Sequence, residues 1–178
     1  MCSSVTKPKA KLLEIGCGQG NITKYLLSKR PDFEIFGIDI APNMIELARK
    51  NNPTARFAVM DCRQIYSPGK KYDGIIGGFC LPYLSPAESN ELILNSYSLL
   101  NENGLIYLSF VEGHPDKSGF KVSSGGKVYF HFHNSDDLKT QLIKTKFGEI
   151  ETSKVEYKTS ETTFEIHTIL TAKKKNTL

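Results

Sequence analysis

The sequence predicts a single α/β domain, a three-layer sandwich with helices on both faces of a mostly parallel sheet. Three observations carry that expectation. Strand-like apolar runs give way to helix-like runs along the first hundred residues. The first apolar run, Leu12-Leu13-Glu14-Ile15, passes directly into Gly16-Cys17-Gly18-Gln19-Gly20. The next two runs end in acids, Asp39 and Asp61. In open α/β sheets ligands bind outside the carboxyl ends of the strands, so these ends form one candidate ligand edge.

The elements follow in order. Glycine at alternate positions lets the backbone after the first strand turn sharply and approach a bulky ligand with no Cβ in the way. Ile22, Tyr25, Leu26 and Leu27 then repeat at helical spacing, which aims a helix N-terminus at the occupant of the turn. Phe33 to Ile38 forms the second strand, ending in Asp39, 19 residues beyond Gly20. A carboxylate there can accept from both hydroxyls of a ribose. Pro42 suits a first helical position, and Met44, Leu47 and Ala48 predict the apolar face of the second helix. The third strand, Ala55 to Met60, ends in Asp61-Cys62.

Tyr72 to Leu84 contains the fourth strand, with Gly77 and Gly78 near its end, where small residues leave room for two ligands to meet. Ser85-Pro86-Ala87-Glu88 is a capping box with proline at the first helical position, opening a helix that runs to about Leu100. Asn101 to Gly104 closes it, and Leu105 to Phe110 reads as the fifth strand. Val111 to Phe120 and Ser123 to Gly126 read as a long polar loop suited to a lid, and Lys127 to His133 as an extended segment with Tyr129, His131 and His133 on one side. Asn134 to Asp137 starts a helix with Leu138, Leu142, Ile143 and Phe147 on one face, ended by Gly148. Strands at about Glu149–Tyr157 and Thr163–Ala172, joined by Lys158 to Glu161, complete the chain.

The glycine spacing discriminates between cofactors. Asn21 stands where the dinucleotide fingerprint requires its third glycine, and no Lys-Ser or Lys-Thr follows in Walker register. The pattern Glu14-x-Gly16-x-Gly18-x-Gly20, with Ile38 to Arg49 and Tyr72 to Leu84, instead resembles the class I S-adenosylmethionine-dependent methyltransferases, over about Lys11 to Lys173. The resemblance implies a seven-stranded sheet of order 3-2-1-4-5-7-6 with strand 7 antiparallel. It also implies S-adenosyl-L-methionine as cofactor and S-adenosyl-L-homocysteine as product. The implied cofactor residues are Glu14, Gly16, Cys17, Gly18, Gly20, Asp39, Ile40, Met44, Asp61, Cys62 and Gly78, with Asp39 on the ribose and Asp61 and the Cys62 backbone on the adenine.

Two departures stand out. Ala41 replaces the family's usual serine, removing a capping hydroxyl. Pro82-Tyr83 stands where small-molecule members often carry two histidines, so no base role transfers to these positions. Candidate bases are then Tyr83, His114, His131 and His133, with Glu112 beside them. Only Met1 to Ala10 precede the first strand, so little or no N-terminal lid is expected, and low activity with it.

With 178 residues, 39% hydrophobic and 24% charged, the chain suits one domain that buries its core without disulfides, with the core at about 11–173. Cys2, Cys17, Cys62 and Cys80 show no C-x-x-C spacing, which points to a reduced, cytoplasmic protein with no metal. Strand three should lie at an edge, keeping Cys62 away from Cys80. The net charge of +4 comes from scattered lysines and from Lys173-Lys174-Lys175, read as a solvated tail. The acidic-Pro-Pro-aromatic sequence of base methyltransferases is absent, which argues against nucleic acid and for a small-molecule acceptor. No membrane span is expected, and the chain is expected as a monomer or homodimer. An RNA or protein methyltransferase, a non-catalytic cofactor-binding domain and a nucleotide-binding oxidoreductase are the competing readings.

Overall fold

A computed structural model of the chain describes residues 4–65, 69–123, 126–158 and 163–175. Cys2, Ser124, Gly125 and the predicted link Thr159 to Glu161 lie outside the described residues. The elements are β1 (Lys11–Ile15), α1 (Asn21–Lys29), β2 (Glu34–Asp39), α2 (Pro42–Asn51), β3 (Arg56–Val59), β4 (Tyr72–Gly78), α3 (Pro86–Leu99), β5 (Leu100–Val111), β6 (Gly119–Ser123), β7 (Gly126–Phe130), α4 (Ser135–Lys144), β8 (Phe147–Lys158) and β9 (Phe164–Lys174).

The main sheet runs β3-β2-β1-β4-β5-β9-β8. The first five pair in parallel, and β9 runs antiparallel to both β5 and β8. With β8 and β9 as sixth and seventh strands, this is the expected order. Because side chains alternate across a strand, Leu13, Ile15 and Ile75 face one layer while Leu12 and Ile76 face the other. The first set packs with Leu92 and Ile93 of α3 and Leu138 and Leu142 of α4, the second with Leu26 of α1. Ile45 and Ala48 of α2 form a third cluster with Cys17 and Phe57. Each fully buried Leu or Ile contributes about 1.5–3 kcal/mol.

Several local expectations need correction. The buried face of α2 is Ile45 and Ala48, whereas Leu47 is exposed and Met44 half-buried, so the register of the apolar stripe is one residue away from the predicted one. Tyr25 and Ile143, expected inward, are exposed. α4 ends at Lys144, and Phe147 and Gly148 belong to β8, because Lys146 takes a left-handed backbone with φ 72° that stops the helix earlier. β5 begins at Leu100, and a bulge takes up Asn101 to Gly104 with Asn103 at φ 62°. Lys173 and Lys174 are no tail. They lie in β9, and the buried Lys174 ammonium donates to the Leu100 carbonyl at 3.0 Å and pairs with Glu102 at 3.4 Å.

The second part of the predicted lid loop belongs to a hairpin. After a 3₁₀ turn at Pro115–Lys117, β6 and β7 pair antiparallel from Gly119↔Phe130 to Ser123↔Gly126, separate from the main sheet. The hairpin is tied to the segment after β4 by the His131 N–H donating to the Pro82 carbonyl at 2.8 Å. Among the described residues no helix is long and apolar enough to cross a membrane.

Candidate functional site

The turn after β1 is held open by three left-handed glycines, Gly16 (φ 66°), Gly18 (φ 52°) and Gly20 (φ 82°). Their surroundings differ. A Cβ on Gly20 would collide with Asn52, and one on Gly16 would sit 3.1 Å from Cβ of Cys80. A Cβ on Gly18 would meet nothing within 4 Å. Gly16 and Gly20 are therefore packed against protein, while Gly18 borders open space.

Asp39, at the end of β2, accepts from the Gly18 N–H through Oδ2 and from the Ala41 N–H through Oδ1, each at 2.9 Å. The second contact serves where Ala41 offers no capping side chain. An ionised carboxylate has about four acceptor positions, so about two remain. The carboxylate is thereby fixed beside the glycine turn with capacity for two more donors.

Gly16, Asp39, Ile40, Met60, Cys62, Phe79, Cys80 and Tyr83 line one crevice of about 260 Å³. It lies at the carboxyl ends of β1, β2, β3 and β4, the edge the sequence singled out. Cys62 and Cys80 share this crevice, contrary to the expected separation, because the short 3₁₀ turns after β3 and β4 carry them toward each other beyond the strand ends. Burial pushes their thiols up to about 11 and about 12, and that of Cys17 to about 12, so all three stay protonated near neutrality. Among the described residues no cluster of three His, Cys, Asp or Glu side chains could hold a metal.

The other expected cofactor residues fall outside the lining. Glu14 is buried under the turn, where it accepts from the Thr23 hydroxyl. Burial, countered in part by the Thr23 hydrogen bonds, raises its carboxyl to about 7. A Cβ on Gly78 would collide with Ile22 of α1, so this glycine lets β4 and α1 approach closely. Met44 begins α2 and is not in the lining. Asp61 is engaged by Arg63 through Nε and Nη2 at 2.7 to 3.0 Å and caps the 3₁₀ turn, and the Arg63 hydrogen bonds hold its carboxyl below the usual range. Arg63 also reaches Glu88 at 3.2 Å.

The candidate bases separate sharply. Tyr83 lines the crevice and is 58% exposed. His133 is buried, and its Nε2–H donates to the Leu81 and Leu84 carbonyls at 2.8 and 3.1 Å, which ties down the turn carrying Tyr83. Burial lowers its pKa. That geometry commits Nε2 to two carbonyls, the arrangement of a structural donor. His114 is exposed on the 3₁₀ turn beside Asp116 and outside the crevice lining. His131 is half-buried, 4.7 Å from the ring of Tyr129 and 6.4 Å from that of His133. Glu112 is a tie between elements: burial pushes its carboxyl up, but hydrogen bonds from Lys154, Thr168 and Ser135 hold it down at about 2.

Sequence reading missed Met60, Phe79 and Cys80 of the lining, and His167 behind Phe79. Phe79, 39% exposed in the crevice wall, has φ 56°, an uncommon backbone for a bulky residue. It is pinned by its N–H donating to the carbonyl and hydroxyl of Ser109 at 3.0 and 3.2 Å. Its ring packs edge-on against His167 of β9 at 4.8 Å. A non-glycine left-handed residue leaves no mark in a sequence, and His167 reaches this edge only because β9 runs antiparallel.

A glycine turn with one open position, a fixed carboxylate beside it and a crevice across the strand ends define a nucleotide-cofactor-binding α/β domain. Comparison sharpens this. Residues 12–104 match the family model described as a methyltransferase domain, and the chain belongs to the class I S-adenosylmethionine-dependent methyltransferase family. It is 30% identical over 147 residues to malonyl-[acyl-carrier protein] O-methyltransferase 1 of Ilyobacter polytropus, covering 81% of this chain and 48% of that protein. It is 37% identical over 95 residues to trans-aconitate 2-methyltransferase of Enterobacter sp. strain 638, covering 53% and 36%. A crystal structure of an S-adenosylmethionine-dependent methyltransferase from Methanosarcina mazei superposes with a TM-score of 0.82 at 19% identity, covering 97% of this chain and 96% of that one. The chain spans less than half the length of the first curated relatives it matches.

Proposed function

We propose that the chain binds S-adenosylmethionine in the crevice beyond β1 to β4 and transfers its methyl group to a small-molecule acceptor. The observation that carries this is Asp39, held by Gly18 and Ala41 with acceptor capacity to spare, beside a glycine whose missing Cβ faces open space. Asp39 receives the ribose hydroxyls. Gly16 and Gly18 border the amino-acid part, with Cys17 contributing backbone and Glu14 bracing the turn from beneath. Ile40 and Met60 give apolar surface to the adenine, and Cys62 offers its backbone N–H. Asp61, already paired with Arg63, accepts from the adenine amino group only through what acceptor capacity that pair leaves.

When bound, the cofactor supplies an electrophilic sulfonium methyl whose displacement releases a neutral thioether. The chain's task is alignment, and holding reactants in near-attack geometry supplies ~7 to 11 kcal/mol. Phe79, Cys80 and Tyr83 form the end of the crevice after β4 and exclude water around the acceptor. A base is needed only for an acceptor that must lose a proton; Tyr83 borders the crevice and His131 follows the hairpin strand tied to the same turn. Malonyl-[acyl-carrier protein] and trans-aconitate, named for two relatives, support a non-nucleic-acid acceptor.

The test is a labelled-methyl assay against a metabolite extract. Label should enter a small organic product and S-adenosylhomocysteine should accumulate. Label entering RNA or protein instead would assign a macromolecular acceptor, and tight cofactor binding with no transfer to any fraction would make the chain a binding domain.

A further inference from the structure

Resting on the methyl-transfer reading, one surface of the crevice goes further and bears on the acceptor. Two large aromatic rings, Phe79 and Tyr83, line it together and are 39% and 58% exposed. Phe79 holds its place at the expense of a left-handed backbone, φ 56°, a strain that persists only where surrounding contacts impose it. Those contacts are the Ser109 hydrogen bonds and the edge of His167 at 4.8 Å. His167 is itself stacked on Tyr157 at 4.7 Å with an interplanar angle of 14°, and its Nε2 lies 3.7 Å from Glu165 Oε2. An aromatic row therefore leads from the crevice to an imidazole set in place by a stacked tyrosine and a carboxylate. On the other side the Tyr83 ring packs edge-on toward Phe130 of β7 at 6.5 Å.

Charge narrows the ligand. The lining holds one carboxyl side chain, Asp39, and no lysine or arginine among the described residues. A carboxylate or phosphate acceptor would have to be desolvated there next to Asp39 with no side-chain cation of the lining to meet it and only the cofactor's own sulfonium as counter-charge, which is less favourable than burying a neutral ring. A flat uncharged ring finds edge and face contacts worth about 0.5–1.5 kcal/mol each beyond simple burial.

We propose that Phe79 and Tyr83 form the acceptor slot and take a planar, uncharged aromatic group, with His167, oriented by Tyr157 and Glu165, as the polar contact at its far end. The slot selects against the anionic acceptors named for the relatives above.

Calorimetric titration of 2-naphthol and 2-naphthoate into protein saturated with S-adenosylhomocysteine tests this. The neutral naphthol should bind at least about tenfold more tightly than the anionic naphthoate. Tyr83→Ala, at an exposed position where folding is not at stake, should weaken naphthol about tenfold, and His167→Ala should weaken it with partial recovery in His167→Gln. Equal affinity for the two ligands, no binding of either, or naphthol affinity unchanged in Tyr83→Ala would overturn the slot while leaving the cofactor site standing. Failure of the wild-type chain to bind S-adenosylhomocysteine in the preceding titration would overturn the methyl-transfer reading itself, and the slot with it.

Discussion

The Gly18 N–H donates to the Asp39 carboxylate at 2.9 Å, so the turn after β1 and the end of β2 form one unit before any ligand arrives. The turn is thereby preorganised: its left-handed glycines are fixed by a contact between neighbouring strands rather than by the cofactor. Asp39 orients the turn, and under the proposed function it also receives the ribose.

Removing that carboxylate should cost more than a lost ligand contact. Asp39→Ala should weaken S-adenosylhomocysteine by more than about 1 kcal/mol, the scale of a charge-assisted hydrogen bond. Asp39→Asn, which keeps one acceptor oxygen, should lose less. Calorimetry measures both, and unchanged affinity in the alanine variant would move the ribose contact elsewhere.

Gly18 and Gly20 should respond differently to substitution. Gly18→Val should abolish cofactor binding while the chain stays folded, because its side chain enters open space that the ligand needs. Gly20→Ala should destabilise the fold itself, since at the start of α1 its Cβ would collide with the buried Asn52 side chain just past the end of α2. Thermal melts with and without S-adenosylhomocysteine separate the effects, and the opposite pattern would show that Gly20 rather than Gly18 meets the ligand.

Much of this arrangement was legible in the sequence. The Ser85 capping box forms with both reciprocal hydrogen bonds, and the strand order follows the resemblance. The glycine spacing located the turn because backbone requirements are written in residue type. What escaped was long-range. The periodicity picked Met44, Leu47 and Ala48 as the apolar face of α2, whereas Ile45 and Ala48 are buried, because packing against Phe57 sets the face. The β6–β7 hairpin did leave a signal, Phe120-Lys121-Val122 and Val128-Tyr129-Phe130 flanking glycines, but its polar surroundings masked it. His133 read as a base because nothing local shows that its ring meets two carbonyls some fifty residues earlier in the chain.

Glu14 gives stability a pH dependence. Its folded carboxyl is raised by burial to about 7 from an ordinary 4.5, so the folded chain keeps a proton that the unfolded chain loses. The stabilisation is complete below about pH 4.5 and disappears as pH rises through about 7, at no more than ~1.4 kcal/mol per pH unit. Urea unfolding of the native chain and of Glu14→Gln at pH 5 and pH 8 isolates this group. The native chain should lose on the order of 3 kcal/mol relative to the variant between the two pH values. Parallel behaviour would show that Glu14 is ionised in the fold.

His133 should prove structural. His133→Ala strands the Leu81 and Leu84 carbonyls in a buried site and should cost about 1–3 kcal/mol of stability. Cofactor affinity at a temperature where the variant is folded should change far less than in Asp39→Ala. A variant of full stability that had lost methyl transfer would restore His133 to the list of bases.

The central claim is that the crevice lined by Gly16 and Asp39, beside the Gly18 turn, is a site for S-adenosylmethionine, and calorimetric titration of the intact chain with S-adenosylhomocysteine tests it most directly. The account predicts saturable binding of one ligand per chain, competed by S-adenosylmethionine, unaffected by NAD or ATP and lost in Gly18→Val. Binding of NAD with indifference to S-adenosylhomocysteine, or full binding by a folded Gly18→Val chain, would contradict it.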